Sequence, residues 1–342
     1  MGLFKKKKSA NSGNHTKIRR KVEIEGLSIP GIIFNLDYHI IDLKVYSDGI
    51  VDCWEMVDLP IFQEKLKKNW VVTSIPEGGE ISIFELGRWK IKNGNWNFNQ
   101  QTYFDFVKSL VKELNPKMEN LYNMHGTTSL KVNGVNTFKL GISSPEPYYV
   151  ANEIGIHKET FAGKKFSVFF RDEDDQFYFS QMSIFKDGLV QLNDIPNSKT
   201  YKFEDIRKLI DSKTILSEIP NGNRVNLGNL GSFELESGYG VDIEEKYLDF
   251  QDQFNVLQGK EDSLRKCIRI FKEFMEQPTA SKKEELKVAY ETIPKHKRMY
   301  VGDMDTKDFH LKLILYGEAT KQEWEERYGY PMPDFKVPEL LD

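Results

Sequence analysis

The feature that most constrains this chain is an internal duplication. One pattern of apolar, aromatic and turn residues runs from about Gly26 to Trp89 and returns from about Gly163 to Phe233. A spacing near 140 residues is far longer than the ~20–50 residues of stacked solenoid repeats, so the expected outcome is two like-built modules. The match falls in two registers. Tyr38, Ile40, Leu43, Val45 and Tyr46 answer Phe177, Phe179, Met182, Ile184 and Phe185, and Ser47-Asp48-Gly49 answers Lys186-Asp187-Gly188, 139 residues later. Phe62, Leu66, Ile75-Pro76, Ile81, Ile83, Leu86, Gly87 and Trp89 answer Ile206, Ile210, Ile219-Pro220, Val225, Leu227, Leu230, Gly231 and Phe233, 144 residues later. The second copy therefore carries five extra residues between these anchors.

Each copy reads as two strands around an Asp-Gly turn, a short helix, and two strands around a Pro-x-Gly turn. Glycine accepts the positive φ that such hairpins need. Phe62 and Leu66, like Ile206 and Ile210, lie four apart with charged residues between them, which places one apolar stripe of a helix against a sheet. Ile81-x-Ile83 and Val225-x-Leu227 alternate as half-buried antiparallel strands do. The expected fold class is α+β: two duplicated ββαββ modules with antiparallel sheets, plus a mixed helical C-terminal region.

A chain of 342 residues exceeds one ordinary core. The spacing of turn signals divides it into a basic flexible tail (1–21), a first module (22–116), a connection (117–162), a second module (163–255) and a C-terminal region (256–342). Helices are expected over Thr102 to Leu114, Asp262 to Glu276, Ala280 to Thr292 and Thr320 to Tyr328, from apolar spacing and the breakers that follow. Thr128 to Leu140 reads as a hairpin about Asn133-Gly134, Ser143 to Pro147 as a loop, and Met299 to Val301 and Leu311 to Tyr316 as strands.

Two cysteines, Cys53 and Cys267, cannot build a disulfide framework or a cysteine zinc site; both read as small buried apolar groups in a reducing, cytoplasmic setting. No apolar run reaches the ~20 residues of a membrane helix. Charge is unevenly placed. Residues 1–21 hold eight basic residues and no acid, so in a chain of net charge −4 the remainder carries −12. Lys5, Lys6, Lys7, Lys8, Arg19 and Arg20 could touch an anionic membrane surface or nucleic-acid phosphate, or simply solubilise a loose end. The acidic body opposes the nucleic-acid reading. Gly2 invites myristoylation, but Lys6 stands where that motif asks for Ser or Thr.

The acidic turn Gly302 to Asp308 offers Asp303, Asp305 and Asp308 as oxygen ligands for Mg²⁺ or Ca²⁺. Its spacing does not fit an EF-hand, because Lys307 stands at the fifth position and Ile314 at the twelfth. A turn whose Asp side chains accept backbone N–H groups is the simpler reading. The six histidines show no metal-helix spacing, and no phosphate loop, dinucleotide fingerprint or nucleophile elbow is present, so no cofactor is expected. His39 and His310 fall in strand-like stretches, and His296 in a basic cluster.

The Met1-Gly2-Leu3-Phe4-Lys5 start, the repeated Asp-Gly hairpins and the stretch from Met299 through Tyr316 resemble the cytosolic immunity and accessory proteins that bacteria encode beside polymorphic toxins. That resemblance implies a partner neutralised by shape and charge, such as a basic toxin domain steered by an acidic surface. Without visible chemistry, a non-catalytic protein-binding role leads, with Trp54, Trp70, Trp89 and Trp96 as candidate contact residues. The competing readings are an enzyme with a carboxylate-based site, metal-dependent or not, in a cleft between the modules, and an accessory protein acting through its basic tail. Pairing of the two modules within one chain favours a monomer over a homodimer.

Overall fold

The computed structural model describes residues 15–20, 24–124, 127–140, 148–150, 153–154, 159–160, 162–196 and 199–341. The first module comprises β1 (Thr16–Arg20), β2 (Ile24–Asn35), β3 (Asp37–Tyr46), β4 (Val51–Asp52), β5 (Met56–Val57), α1 (Leu59–Lys67), β6 (Val71–Val72), β7 (Glu80–Ile83), β8 (Gly87–Trp96) and α2 (Gln100–Leu114). The connection contributes β9 (Thr127–Val132), β10 (Val135–Leu140), β11 (Tyr148–Val150), β12 (Glu153–Ile154) and β13 (Glu159–Thr160). The second module follows with β14 (Gly163–Arg171), β15 (Phe177–Phe185), β16 (Leu189–Asn193), β17 (Lys199–Lys202), α3 (Ile206–Asp211), β18 (Ile215–Leu216), β19 (Arg224–Asn226) and β20 (Gly231–Gly240). Among the described residues six helices follow: α4 (Ile243–Leu257), α5 (Ser263–Glu276), α6 (Ala280–Glu291), α7 (Lys295–Arg298), α8 (Phe309–Tyr316) and α9 (Glu318–Tyr328). Residues 1–243 and 244–342 form two compact units.

The duplication is visible pairing by pairing. β2 pairs antiparallel with β3 and β6, as β14 does with β15 and β18. β3 pairs parallel with β7, as β15 does with β19. Registers agree with the two offsets in the sequence: Tyr38 lies opposite Ile81 and Phe177 opposite Val225, while Ile81 lies opposite Trp89 and Val225 opposite Phe233. The sheets are thus antiparallel except for one parallel pair per module. That pair arises because the helix carries the chain back across the sheet between the strands, which a tight hairpin cannot do. In α1, Asp58 caps the first turn by accepting from the Ile61 N–H at 3.0 Å, Pro60 occupies the first turn, and Phe62 and Leu66 are buried.

The modules join through β8 and β20, whose antiparallel register is symmetric: Gly87 faces Gly240, Ile91 faces Leu235, and Trp96 faces Gly231. The equivalent residues Ile91 and Leu235 therefore sit on a pseudo-two-fold axis. Two glycines are obligatory here. Gly87 and Gly231 have φ of +155° and +133°, and a Cβ on them would lie 2.2 and 2.1 Å from the carbonyl oxygens of Tyr239 and Asn95. On the other side β1 pairs with β2 and β11, and β11 pairs with β14, again with symmetric register at Ile18 opposite Val150. The pairings close a ring of ten strands, β1–β2–β3–β7–β8–β20–β19–β15–β14–β11. The core draws on both modules, with Ile32, Phe62, Trp89 and Tyr103 from the first and Phe169, Phe179 and Phe233 from the second.

Several expectations are corrected. Residues 16–20 do not belong to a flexible tail. Thr16, Ile18 and Arg20 alternate inward as a strand, and Arg20 is buried against Asp48 and 4.9 Å above the Tyr46 ring. Met299–Val301 is a 3-10 turn and Leu311 to Tyr316 lies in α8, so His310 is helical. A short apolar run carries no clear period, and here the core formed by Cys267, Ile270, Phe274, Leu286 and Tyr290 selects a helix presenting Leu311 and Ile314. Helix α4 was not foreseen. It follows β20 as α2 follows β8, and its Tyr247, Phe250 and Phe254 lie 144 residues after Tyr103, Phe106 and Leu110. The hairpin about Asn133-Gly134 is present, with φ of +49° and +81°; Ser143 to Pro147 lies outside the described residues.

Candidate functional site

Two turns of the first module frame a cavity of about 530 Å³. The β4–β5 turn consists of Cys53, Trp54 and Glu55, closed by the Cys53 N–H donating to the Glu55 carbonyl at 3.1 Å. Cys53 points inward, and burial pushes its thiol up to about 11. Trp54 points outward, 57% exposed, with φ of +73°. A bulky residue in the left-handed region is strained, and strain of this kind concentrates at functional positions. In the β7–β8 turn Phe84 is 78% exposed and Glu85 has φ of +55°. The His39 ring packs 5.2 Å from that of Trp54.

The floor of the cavity is polar and belongs to both modules. Alternation along β2 and β3 turns Ser28, Asp42 and Lys44 to one face, with Ser28 opposite Lys44. Lys165 and Ser167 of β14 and Gln181 of β15 come from the other side. Lys165 Nζ donates to Asp42 Oδ1 at 2.7 Å and to Ser28 Oγ, which in turn donates to Asp42. Lys44 Nζ donates to Asp52 Oδ2 at 2.8 Å, and at the rim Lys65 meets Glu55 at 2.7 Å. The carboxylates of the floor and of the Trp54 turn each have an ammonium partner. A serine beside a lysine suggests nucleophilic chemistry, but Asp42 holds Lys165 as a donor and Ser28 is 0% exposed. The arrangement is a locked polar network beneath two aromatic lips, suited to holding a group rather than attacking one.

The second module shows the corresponding place closed. Val51 pairs with Val57 in the first module and Val190 with Tyr201 in the second, so the five extra residues fall in the β16–β17 hairpin, which gains a ladder pair and a longer turn. There Asp194, at φ +61°, turns its side chain inward, where it is 2% exposed and meets His15 Nδ1 at 3.5 Å; His15 Nε2 lies 3.5 Å from Asn229 Nδ2 in the β19–β20 turn. Burial holds the Asp194 carboxyl above its usual range, opposed by His15 and Lys165. Gly228 and Asn229 stand where the first module has Phe84 and Glu85. One mouth is filled by the chain's own imidazole; the other carries exposed aromatics.

Of the tryptophans singled out from sequence, only Trp54 reaches this mouth. Trp89 is 3% exposed in the core, Trp70 is partly buried under Lys65 Nζ at 5.2 Å, and Trp96 stacks on Phe233 at 6.1 Å. Arg20 is buried and Arg19 pairs with Glu25 at 3.7 Å, so neither is a tail contact; Lys5, Lys6, Lys7 and Lys8 lie outside the described residues. Asp303 Oδ1 accepts from the Asp305 and Thr306 N–H groups at 3.0 and 2.6 Å, which draws its carboxyl below the usual range. Asp308 accepts from Tyr290 Oη at 2.5 Å, burial and this bond raising the Tyr290 phenol. Among the described residues no cluster of three His, Cys, Asp or Glu could hold a metal, and no helix is long and apolar enough to cross a membrane. Phe84, Lys165, Asp42 and Ser28 escaped the sequence reading. Their signal was present as polar residues within apolar strands and an aromatic where the other copy has glycine.

Residues 14–118 and 152–261 match the model described as Domain of unknown function (DUF7638), and residues 262–328 match Domain of unknown function (DUF7639). No curated protein and no solved structure matches the chain. The first model thus ends after α2 in one segment and after α4 in the other, and the paired segments span more than half of the sequence: the chain belongs to the DUF7638 family.

Proposed function

We propose that the chain is a non-catalytic binding protein that captures a protein partner at the Trp54–Phe84 mouth. The observation that carries this reading is the contrast between the two modules. The second mouth is occupied by His15, whereas the first presents two exposed aromatics above a preformed polar floor. Exposed aromatics over a rigid pocket are the usual anchors of a protein interface. Because the charges at this mouth are largely paired, the aromatic lips and the shape of the cavity supply affinity. The −12 carried by residues 22–342 acts at longer range, favouring approach of a basic surface such as a toxin domain neutralised by an immunity protein.

The test is capture from cells of the source organism by the full chain and by the Trp54→Ala/Phe84→Ala double variant. A reproducible partner should be retained by the former and lost by the latter, and added salt should slow association more than it speeds release. If no captured protein responds to the double substitution, the reading is overturned.

A further inference from the structure

A second cavity, of about 840 Å³, opens in the first module and shares no lining residue with the Trp54 mouth. Its size falls in the ~300–1,000 Å³ range of small-molecule sites. Four aromatic rings line it, and each is braced from behind or beside. Phe34 packs against Tyr38 at 4.9 Å, Trp96 stacks on Phe233 at 6.1 Å, and Phe98 stacks on Phe106 at 5.1 Å. Four amides join them. Gln100 Nε2 donates to Asn69 Oδ1 at 2.8 Å, and Asn99 caps α2 by accepting from the Thr102 N–H at 2.9 Å, which fixes the orientation of three of these side chains, with Asn93 the fourth. Thr73 also lines the cavity; it is 7% exposed, and no hydrogen bond to its hydroxyl is found among the described residues.

The chemistry of this lining is selective. It contains no cation, and Glu77 is its one carboxylate, which disfavours phosphates and other anions. Amide groups donate and accept at once and so match adjacent hydroxyls, while flat rings cover the C–H faces of a sugar ring. The fold does not require these residues. At the positions of Phe34, Trp96 and Phe98 the second module has Arg171, Gly240 and Asp242, and at that of Ser74 it has Glu218, whose carboxylate accepts from the Gly240 N–H at 2.6 Å. The same strands thus carry an aromatic–amide groove in one module and none in the other.

We propose that this groove binds a neutral saccharide, with the rings of Trp96 and Phe98 as stacking surfaces and Asn69, Asn93 and Thr73 as hydroxyl partners. The full chain is to be titrated calorimetrically with maltotriose, cellotriose, chitotriose and lactose, and in a parallel arm with a proline-rich peptide. At least one saccharide should bind saturably. Trp96→Ala should weaken it by about tenfold or more and Asn93→Ala by a smaller factor, at unchanged melting temperature for the latter. Ser74→Glu, which copies the second module, should block the groove, whereas Trp54→Ala/Phe84→Ala should leave binding untouched. Absence of binding to all four saccharides overturns the proposal. So does binding indifferent to Trp96, Asn93 and Ser74, or a response to the peptide alone.

Discussion

The two modules share their strand pairings and differ in their turns. Between Val51 and Val57 the first module needs only a short turn that thrusts Trp54 into solvent; the second inserts five residues there and folds Asp194 inward to meet His15. Between β7 and β8 the first has Phe84, and between β19 and β20 the second has Gly228. The lesson is one of separable roles. Ladder register, cross-strand packing and the β8–β20 junction are kept in both copies because the closed ring needs both. The turns are relieved of that duty, so one copy presents aromatics while the other seals itself. The helices diverge too. α1 runs nine residues from an Asp cap, whereas α3 runs six after a 3-10 turn and lacks a side-chain cap.

The strongest way to break this comparison is at the junction. Gly87→Ala and Gly231→Ala each force a Cβ into a carbonyl of the facing strand, and each should cost about 5 kcal/mol or prevent folding. Urea unfolding of the two variants should give matching losses; a variant at either position with wild-type stability would show that the pseudo-symmetric junction is not what holds the ring. Next come the helices. Phe62→Ala should cost about 4 kcal/mol and Ile206→Ala about 3, since both are fully buried but the ring leaves the larger cavity. Reversal of that order would mean that the shorter helix anchors the core.

A smaller effect separates the two mouths by pH. The Asp194 carboxyl is held above the ordinary value of 3.8, so its folding contribution is fully favourable below that pH and is lost as pH rises through the folded-state value. Asp194→Asn keeps a residue that tolerates positive φ and should raise the melting temperature at pH 7, with the gain vanishing toward pH 3.8 and below. A gain that grows on acidification would contradict the assignment. The smallest expected change is at the other turn. Trp54→Gly relieves a strained φ and should stabilise by about 1 kcal/mol while abolishing partner capture. Loss of stability would indicate that Trp54 serves packing instead.

Much of this was legible in residues. The two offsets located both modules, and the Asp-Gly turns, the Phe62/Leu66 and Ile206/Ile210 stripes and the Ile75-Pro76 and Ile219-Pro220 anchors all fall where the strands and helices require. The extension of each copy to α2 and α4 was also written in the chain, as Tyr103, Phe106 and Leu110 against Tyr247, Phe250 and Phe254, but helical spacing alone did not attach α4 to the repeat. Leu311 to Tyr316 fits a strand as well as a helix in sequence, because six apolar-rich residues satisfy either period, and only their packing chooses the helix.

That one unit occurs twice, where its turns fall, and that the second copy is longer by five residues are all written in the residues, because glycine, proline and apolar spacing act locally. That the copies join edge to edge in a ring, that Lys165 of one meets Asp42 and Ser28 of the other, and that Trp54 stands in solvent while Trp89 is core emerge from folding alone. The cause is distance along the chain. Lys165 and Asp42 are separated by 123 residues, and nothing in the neighbourhood of either announces a partner that only strand pairing around the ring brings within hydrogen-bond reach.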